Sequence, residues 1–188
     1  MLKRAFLLIS RLIMEPNKIW IELSENQEKD NKDFYKGYLY PIFGVIALFS
    51  FVGVFLGDGK PDLLQTAIKT VIKQMSVYLG GFYLASYLLS DYVYPKFKQE
   101  KNKLLCESFV GYSSALVYTV AMISSLFPSL FFLQLLVFYS IYMIWNGSVY
   151  YLKIEEDNRT KITIYTSTII LFSPMLIALL IKFFLPNI

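Results

Sequence analysis

The sequence predicts an all-α polytopic membrane protein, a bundle of five transmembrane helices preceded by an N-terminal cytoplasmic amphipathic helix. Three observations predict it. Apolar stretches at about 40–57, 66–90, 108–127, 130–151 and 162–185 each have roughly the ~20 residues an α-helix needs to cross a ~30 Å hydrocarbon core. The composition is 56% hydrophobic and 17% charged with a positive mean hydropathy, whereas a soluble domain carries about a quarter charged residues. The charges gather between the stretches, so the net charge of +4 reads as a topology signal and not as a nucleic-acid surface.

The elements follow in order, with residues 1–39 as a cytoplasmic head and linker and 40–188 as the five-helix transmembrane domain. On a helical wheel of residues 1–14, Leu2, Ala5, Phe6, Leu8, Ile9, Leu12 and Ile13 share one side, and Lys3, Arg4, Ser10 and Arg11 the other. Arg11 cuts the apolar run short and no small-residue cleavage site follows, which argues against a signal peptide. A cationic helix lying in the headgroup region of anionic lipid fits this pattern. Pro16 ends it, and Ile19, Trp20, Ile21 and Leu23 form a second apolar cluster whose indole suits the membrane interface. Residues 24–33 are too polar to bury and read as a solvated linker, rich in helix formers.

Span 1 is expected to start at Pro41, since a first-turn proline loses no hydrogen bond. It ends at the turn Gly57-Asp58-Gly59-Lys60-Pro61, with Gly53 and Gly57 forming a GxxxG pair. Span 2 is expected to begin near Asp62 and contains Gly80-Gly81. Spans 3 and 4 are linked by Pro128-Ser129, and Pro174 predicts a kink in span 5.

Orientation follows from the basic residues. The head holds Lys3, Arg4, Arg11, Lys18, Lys29, Lys32 and Lys36. The loop after span 2 holds Lys96, Lys98, Lys101 and Lys103, and the loop after span 4 holds Lys153, Arg159 and Lys161. Only Lys60, Lys69, Lys73 and Lys182 fall on the other side. The positive-inside rule then puts the N-terminus in the cytoplasm and the C-terminus outside.

Catalytic signals are missing. Histidine is absent and Cys106 is the single cysteine, which removes imidazole bases, Ser-His and Cys-His pairs and an intramolecular disulfide. No catalytic, cofactor-binding or metal-ligating set emerges, so the expectation is a non-enzymatic protein without cofactor and without nucleic acid. Every Asp and Glu falls in the head, a loop or a span end, Glu107 and Asp91 included. Span 2 carries one polar stripe: Asp62, Gln65, Thr66, Lys69, Lys73, Ser76, Gly80, Tyr87 and Asp91. It reads as an amphipathic start followed by a helix-packing face, or as a recess where Lys69 and Lys73 contact an anionic lipid or ligand. The small-residue spacings, Gly111 and Ala115 among them, serve packing within the bundle and leave a homo-oligomer open.

Several elements recur in a recognisable order. Pro16 and Trp20 sit in an ExxKIW-like setting, and Tyr40-Pro41 enters span 1. Gly111-Tyr112-Ser113 opens span 3 and Pro128 marks the turn. Tyr139-Ser140-Ile141-Tyr142, Gly147 and Leu152-Lys153 run through span 4, and Tyr165 enters span 5. In this the chain resembles the Yip (Ypt-interacting protein) family, in its bacterial branch. The resemblance implies five spans with a cytoplasmic N-terminus and, from eukaryotic members, action through protein partners. It marks Pro41, Gly111, Tyr112, Ser113, Pro128, Tyr139, Tyr142 and Gly147 as family-motif and packing candidates. Of the Asp-Leu-x-Gly-Pro element of many eukaryotic members only Pro41 stands here, and Rab-type GTPase binding is not carried over. The expected role is non-enzymatic, through an unknown membrane or cytoplasmic protein partner or through membrane organisation. The rival is a small transporter, channel or lipid-handling protein using the span 2 stripe.

Overall fold

The computed structural model describes residues 2–56 and 62–184, the backbone alone for 28–30. Among these residues the chain is helices joined by short loops, with no strand. The head forms α1 (Leu2–Met14), α2 (Pro16–Glu25) and α3 (Gln27–Phe34). The remaining α-helices are α4 (Tyr40–Leu56), α5 (Leu63–Leu88), α6 (Lys103–Ser113), α7 (Ala115–Leu126), α8 (Ser140–Tyr150) and α9 (Arg159–Phe184). The turn expected at Gly57–Pro61, and with it the Gly57 half of the GxxxG pair, lies outside the described residues.

α5 packs along α4 and α9, α4 also along α7, and α9 also along α8. α6 lies among α3, α5 and α8, and every residue from Leu105 to Ser113 is buried. Its start is fixed by Asn102, whose side chain accepts the Leu105 N–H at 3.0 Å, an N-cap that satisfies one orphan donor.

Three helices are long and apolar enough to cross a membrane: 31–56, 128–150 and 156–184; α6 with α7, bent by 48°, adds a fourth when counted as one span. α5 has the length, but Lys69, Lys73, Gln74 and Ser76 make its N-terminal half polar. The helices carry their large apolar side chains outward, as at Phe131, Leu135, Phe172, Met175 and Phe183, the reverse of a soluble surface.

Four expectations are corrected. Pro41 does not open a helix: the chain is already helical from Gln27, through a π-turn at Tyr35–Leu39 in which the Tyr40 N–H reaches back to the Tyr35 carbonyl. The wide turn resets the hydrogen-bond ladder just before the residue that cannot donate. Span 3 is not one helix. At Ser114 the hydroxyl donates to the Val110 carbonyl at 2.7 Å, a back-bond that bends helices, and α7 leaves α6 at 48°. Span 4 is α-helical only from Ser140, with Pro128–Tyr139 wound as a tighter 3₁₀ coil. The polar segment 24–33 is not solvated throughout: it continues as α3, as its helix formers allow, and Asn31 is buried.

Glycines set two close crossings. A Cβ at Gly53 would run into the backbone carbonyl of Ser125 in α7, beside the Ser50–Ser125 hydroxyl contact of 3.3 Å. A Cβ at Gly81 would stand 2.8 Å from the Pro174 ring of α9. Pro174 therefore sits where α5 has no side chain.

The entry to α9 is held by Arg159. Its Nε donates to the Trp145 carbonyl at 3.0 Å, its guanidinium lies 4.4 Å from the Trp145 ring, and Glu156 stands 3.5 Å away. Arg159→Met is expected to cost on the order of 1.5–3 kcal/mol, as for hydrogen bonds to charged groups. Glu156→Gln should leave the melting curve unchanged, because that carboxylate is 72% exposed. Thermal unfolding in mild detergent compares the two. The loop before α6 is tied by Asp91, which accepts from Lys101 at 2.9 Å and Ser90 at 2.8 Å. These bonds hold its carboxyl below the ordinary aspartate range.

Candidate functional site

The head and the bundle share one core, and their junction is aromatic. α2 starts with Pro16 in its first turn, a pre-set φ with no donor to lose. Its buried line is Ile19, Trp20 and Leu23. Trp20 is fully buried, with ring centroids 5.2 Å from Phe109, 5.3 Å from Tyr151 and 6.3 Å from Tyr112. Tyr112 also meets Phe34 at 5.2 Å and Tyr38 at 4.8 Å. Each such pair is worth ~0.5–1.5 kcal/mol beyond the area it buries.

Two glycines make room for this cluster. A Cβ at Gly147 of α8 would lie 2.6 Å from Trp20 Cε2 and 2.7 Å from Phe109 Cε2. One at Gly111 of α6 would fall on the Phe34 ring. Family-motif residues from distant parts of the sequence, Gly111, Tyr112 and Gly147, thus meet at one place, and their partners are head aromatics.

Hydrogen bonds lock the same junction. The Tyr151 hydroxyl donates to Asn31 Oδ1 at 2.8 Å, and Gln27 Nε2 donates to the Tyr151 carbonyl at 2.9 Å. The Tyr94 hydroxyl donates to the Leu152 carbonyl at 3.3 Å. Carbonyls at the end of α8, which a helix leaves without partners, are met by side chains from the head and from the segment after α5. Burial pushes the Tyr94 hydroxyl up to about 12. Tyr38 donates to the Gly111 carbonyl at 3.3 Å. Tyr151→Phe is expected to cost ~1–3 kcal/mol, because Asn31 is left buried without its donor. Tyr151→Phe with Asn31→Leu should recover most of the loss; equal melting temperatures for the single and double variants would contradict this bond.

α1 is only half a membrane-facing helix. Ala5, Ile9 and Leu12 are buried against the protein, while Leu2 and Phe6 are exposed. Arg11 bonds Glu22 at 2.5 Å and Arg4 stands 3.8 Å from Asp33. The Arg11 hydrogen bond holds the Glu22 carboxyl below the usual glutamate range. Two of the three cations expected to meet anionic lipid are thus engaged with carboxylates of the head.

The remaining candidates lie apart. Ser113 is buried at the end of α6, and its hydroxyl finds no partner among the described residues. Pro128 opens the 3₁₀ coil. Tyr139 donates to the Ile13 carbonyl at 3.2 Å and its ring is 5.4 Å from Tyr142, tying the start of α8 to α1. Lys69 is half-buried, and Lys73 and Ser76 are exposed. Their stripe lies opposite the buried line of Ala67, Gly81 and Ala85. Gly80 of the stripe reaches α9, where a Cβ would be 3.2 Å from Ile177.

Sequence reasoning missed Glu107. The sequence places it at a span end, yet its side chain is 5% exposed in α6 and lies 3.8 Å from Lys103. Among the described residues no group of three or more His, Cys, Asp or Glu could hold a metal ion.

A family model, the Yip1 domain, matches residues 11–179. The chain belongs to the Yip family. No curated protein and no solved structure matches it. The match begins inside α1 and takes in Trp20 and Phe34, so the aromatic junction of this Yip-type membrane protein lies wholly within the matched region.

Proposed function

We propose that this Yip-family chain is a non-enzymatic five-span membrane protein that acts through protein partners or membrane organisation, with its docked head as the contact surface. Residues 1–39 face the cytoplasm of a bacterium and the C-terminus lies outside. α5 is the fifth span: its 26 residues extend ~39 Å at 1.5 Å each, enough to cross with tilt. The 14-to-4 division of Lys and Arg supports the orientation. The observation that carries the functional reading is the packing of Trp20 and Phe34 into the bundle core. It makes the cytoplasmic end a preformed surface, the form in which a partner loses least ordering entropy on binding.

Two measurements test the proposal. Single cysteines on a Cys106→Ala background would be labelled in intact cells with an impermeant reagent. Gly59→Cys should react, and Gln99→Cys and Asn158→Cys should react only after permeabilisation; labelling at Gln99 from outside would overturn the topology. A photocrosslinker at exposed Lys18 should give one recurrent protein adduct that Gly147→Leu abolishes. Lipid adducts alone would overturn the partner role.

A recess of about 500 Å³ favours the second reading, a small transporter, channel or lipid-handling protein. It opens between α5, α7, the 3₁₀ coil and α9, where Tyr78, Ala121, Ser124, Gln134, Phe138 and Met175 line it. The recess is not on the Lys69–Lys73 stripe. Transfer of labelled lipid between leaflets of reconstituted vesicles would favour this reading.

A further inference from the structure

Two polar side chains, Ser124 and Gln134, line the recess between α5, α7, the 3₁₀ coil and α9. On the same helix as Ser124, the hydroxyls of Thr119 and Ser125 donate to backbone carbonyls one turn back, each at 2.8 Å. The Ser124 hydroxyl is buried and finds no hydrogen-bond partner among the described residues. Gln134 is exposed on the coil, and no described residue gives its amide a partner. The described residues around them are apolar or aromatic, Tyr78, Ala121, Phe138 and Met175 included. An amide taken from water into hydrocarbon without a hydrogen bond costs ~4–8 kcal/mol. Both groups therefore call for an acceptor that the described residues do not supply.

Depth narrows what that acceptor is. The turn at Phe127 and Pro128 joins two apolar elements, α7 and the coil, which puts it at the membrane interface. Ser124 comes ~4.5 Å before that turn along α7, the level at which lipid chains join their glycerol. Gln134 lies ~12 Å beyond Pro128 along the coil. Leu135, Phe138, Phe172 and Met175 line the recess and are exposed, so it opens sideways toward lipid.

Size decides between the occupants of a hydrocarbon layer. An α-helix ~10 Å across fills ~420 Å³ per turn. The recess, at about 500 Å³, admits about one turn, too little to seat a transmembrane helix of a partner or of a second copy. A methylene needs roughly the ~30 Å³ of a water, so the same space takes on the order of sixteen carbons, one fatty-acyl chain.

We propose that this recess binds one acyl chain of an ester-linked glycerolipid, whose ester carbonyls accept hydrogen bonds from the Ser124 hydroxyl and the Gln134 amide. A carbonyl is an acceptor without charge, suited to a site lined by apolar walls. A glycerolipid carries two of them on neighbouring carbons, one for each donor. The site does not rest on lipid transfer: a lipid that is retained but not moved between leaflets removes the lipid-handling reading and leaves the site in place.

The test uses the full chain, purified and delipidated in mild detergent. Dioleoyl phosphatidylcholine and its ether-linked analogue, which has the same headgroup and chains but no carbonyls, are added in equal amounts. Native mass spectrometry counts the lipid retained. The ester lipid should be held about tenfold over the ether, equivalent to about 1.4 kcal/mol. Ser124→Ala with Gln134→Leu should erase that preference, and both changes set apolar atoms against apolar walls, so the fold is kept. Ala178→Trp, which fills the recess from α9, should lower retention of both lipids. Ile164→Trp, at an exposed position on the same helix, should change neither. Equal retention of ester and ether by the wild type would overturn the site, as would a preference that survives in the double variant or retention that Ala178→Trp leaves unchanged. A wild-type dimer that Gln134→Leu converts to a monomer would assign the recess to a second copy and overturn it too.

Discussion

Gly147→Leu is expected to expel the head from the bundle. The Cβ position at Gly147 is already 2.6 Å from the Trp20 indole and 2.7 Å from Phe109, and these rings are fully buried on all other sides. Neither can yield without displacing Tyr151 or Tyr112, whose rings pack against them. Overpacking of this kind costs ~1–3 kcal/mol, and the aromatic pairs lost with Trp20 add ~0.5–1.5 kcal/mol each. On a Trp145→Phe background Trp20 is the sole indole, so its emission should shift to the red as it meets water while helicity is retained. Gly44→Leu is the control, because a Cβ there meets nothing within 4 Å. Equal emission and melting for the two variants would remove the argument that Gly147 exists to admit Trp20.

Gly53→Ala should lower stability by ~1–3 kcal/mol although it adds one methyl group. The obstacle is the backbone carbonyl of Ser125, which has no rotamer to change, so α4 and α7 must move apart. That separation also breaks the Ser50–Ser125 hydroxyl contact and opens the crossing at its closest point. Thermal unfolding in detergent, again beside a Gly44 substitution, reads the effect. A Gly53→Ala protein as stable as the wild type would show that α4 and α7 do not approach so closely.

Helix positions were legible because apolar runs of membrane length carry their own signature, as at Tyr40–Leu56 and Arg159–Phe184. The junction was not legible, because its determinants are far apart in the chain. Trp20 read as an interfacial indole, and nothing local ties it to Gly147 or Tyr151. Gln27 and Asn31 read as solvated because their partner, Tyr151, lies more than a hundred residues on. Polar side chains are buried when such a partner exists, and composition cannot supply it. The break in span 3 falls at Ser114, whose hydroxyl turns back to the Val110 carbonyl, a rotamer choice invisible in hydropathy. Glu107 shows the same limit, since its place in the sequence marks a span end while the packing of α6 buries it. The resemblance grouped Gly111, Tyr112 and Gly147 without saying what they pack against.

The central claim is that the head is part of the bundle core and not a tethered appendage. Collisional quenching of Trp20 by acrylamide, in the Trp145→Phe protein held in nanodiscs, tests it most directly. The account predicts almost no quenching, because Trp20 has no exposed surface, with access appearing once Gly147→Leu is added. Quenching of Trp20 as efficient as that of a free indole would contradict it.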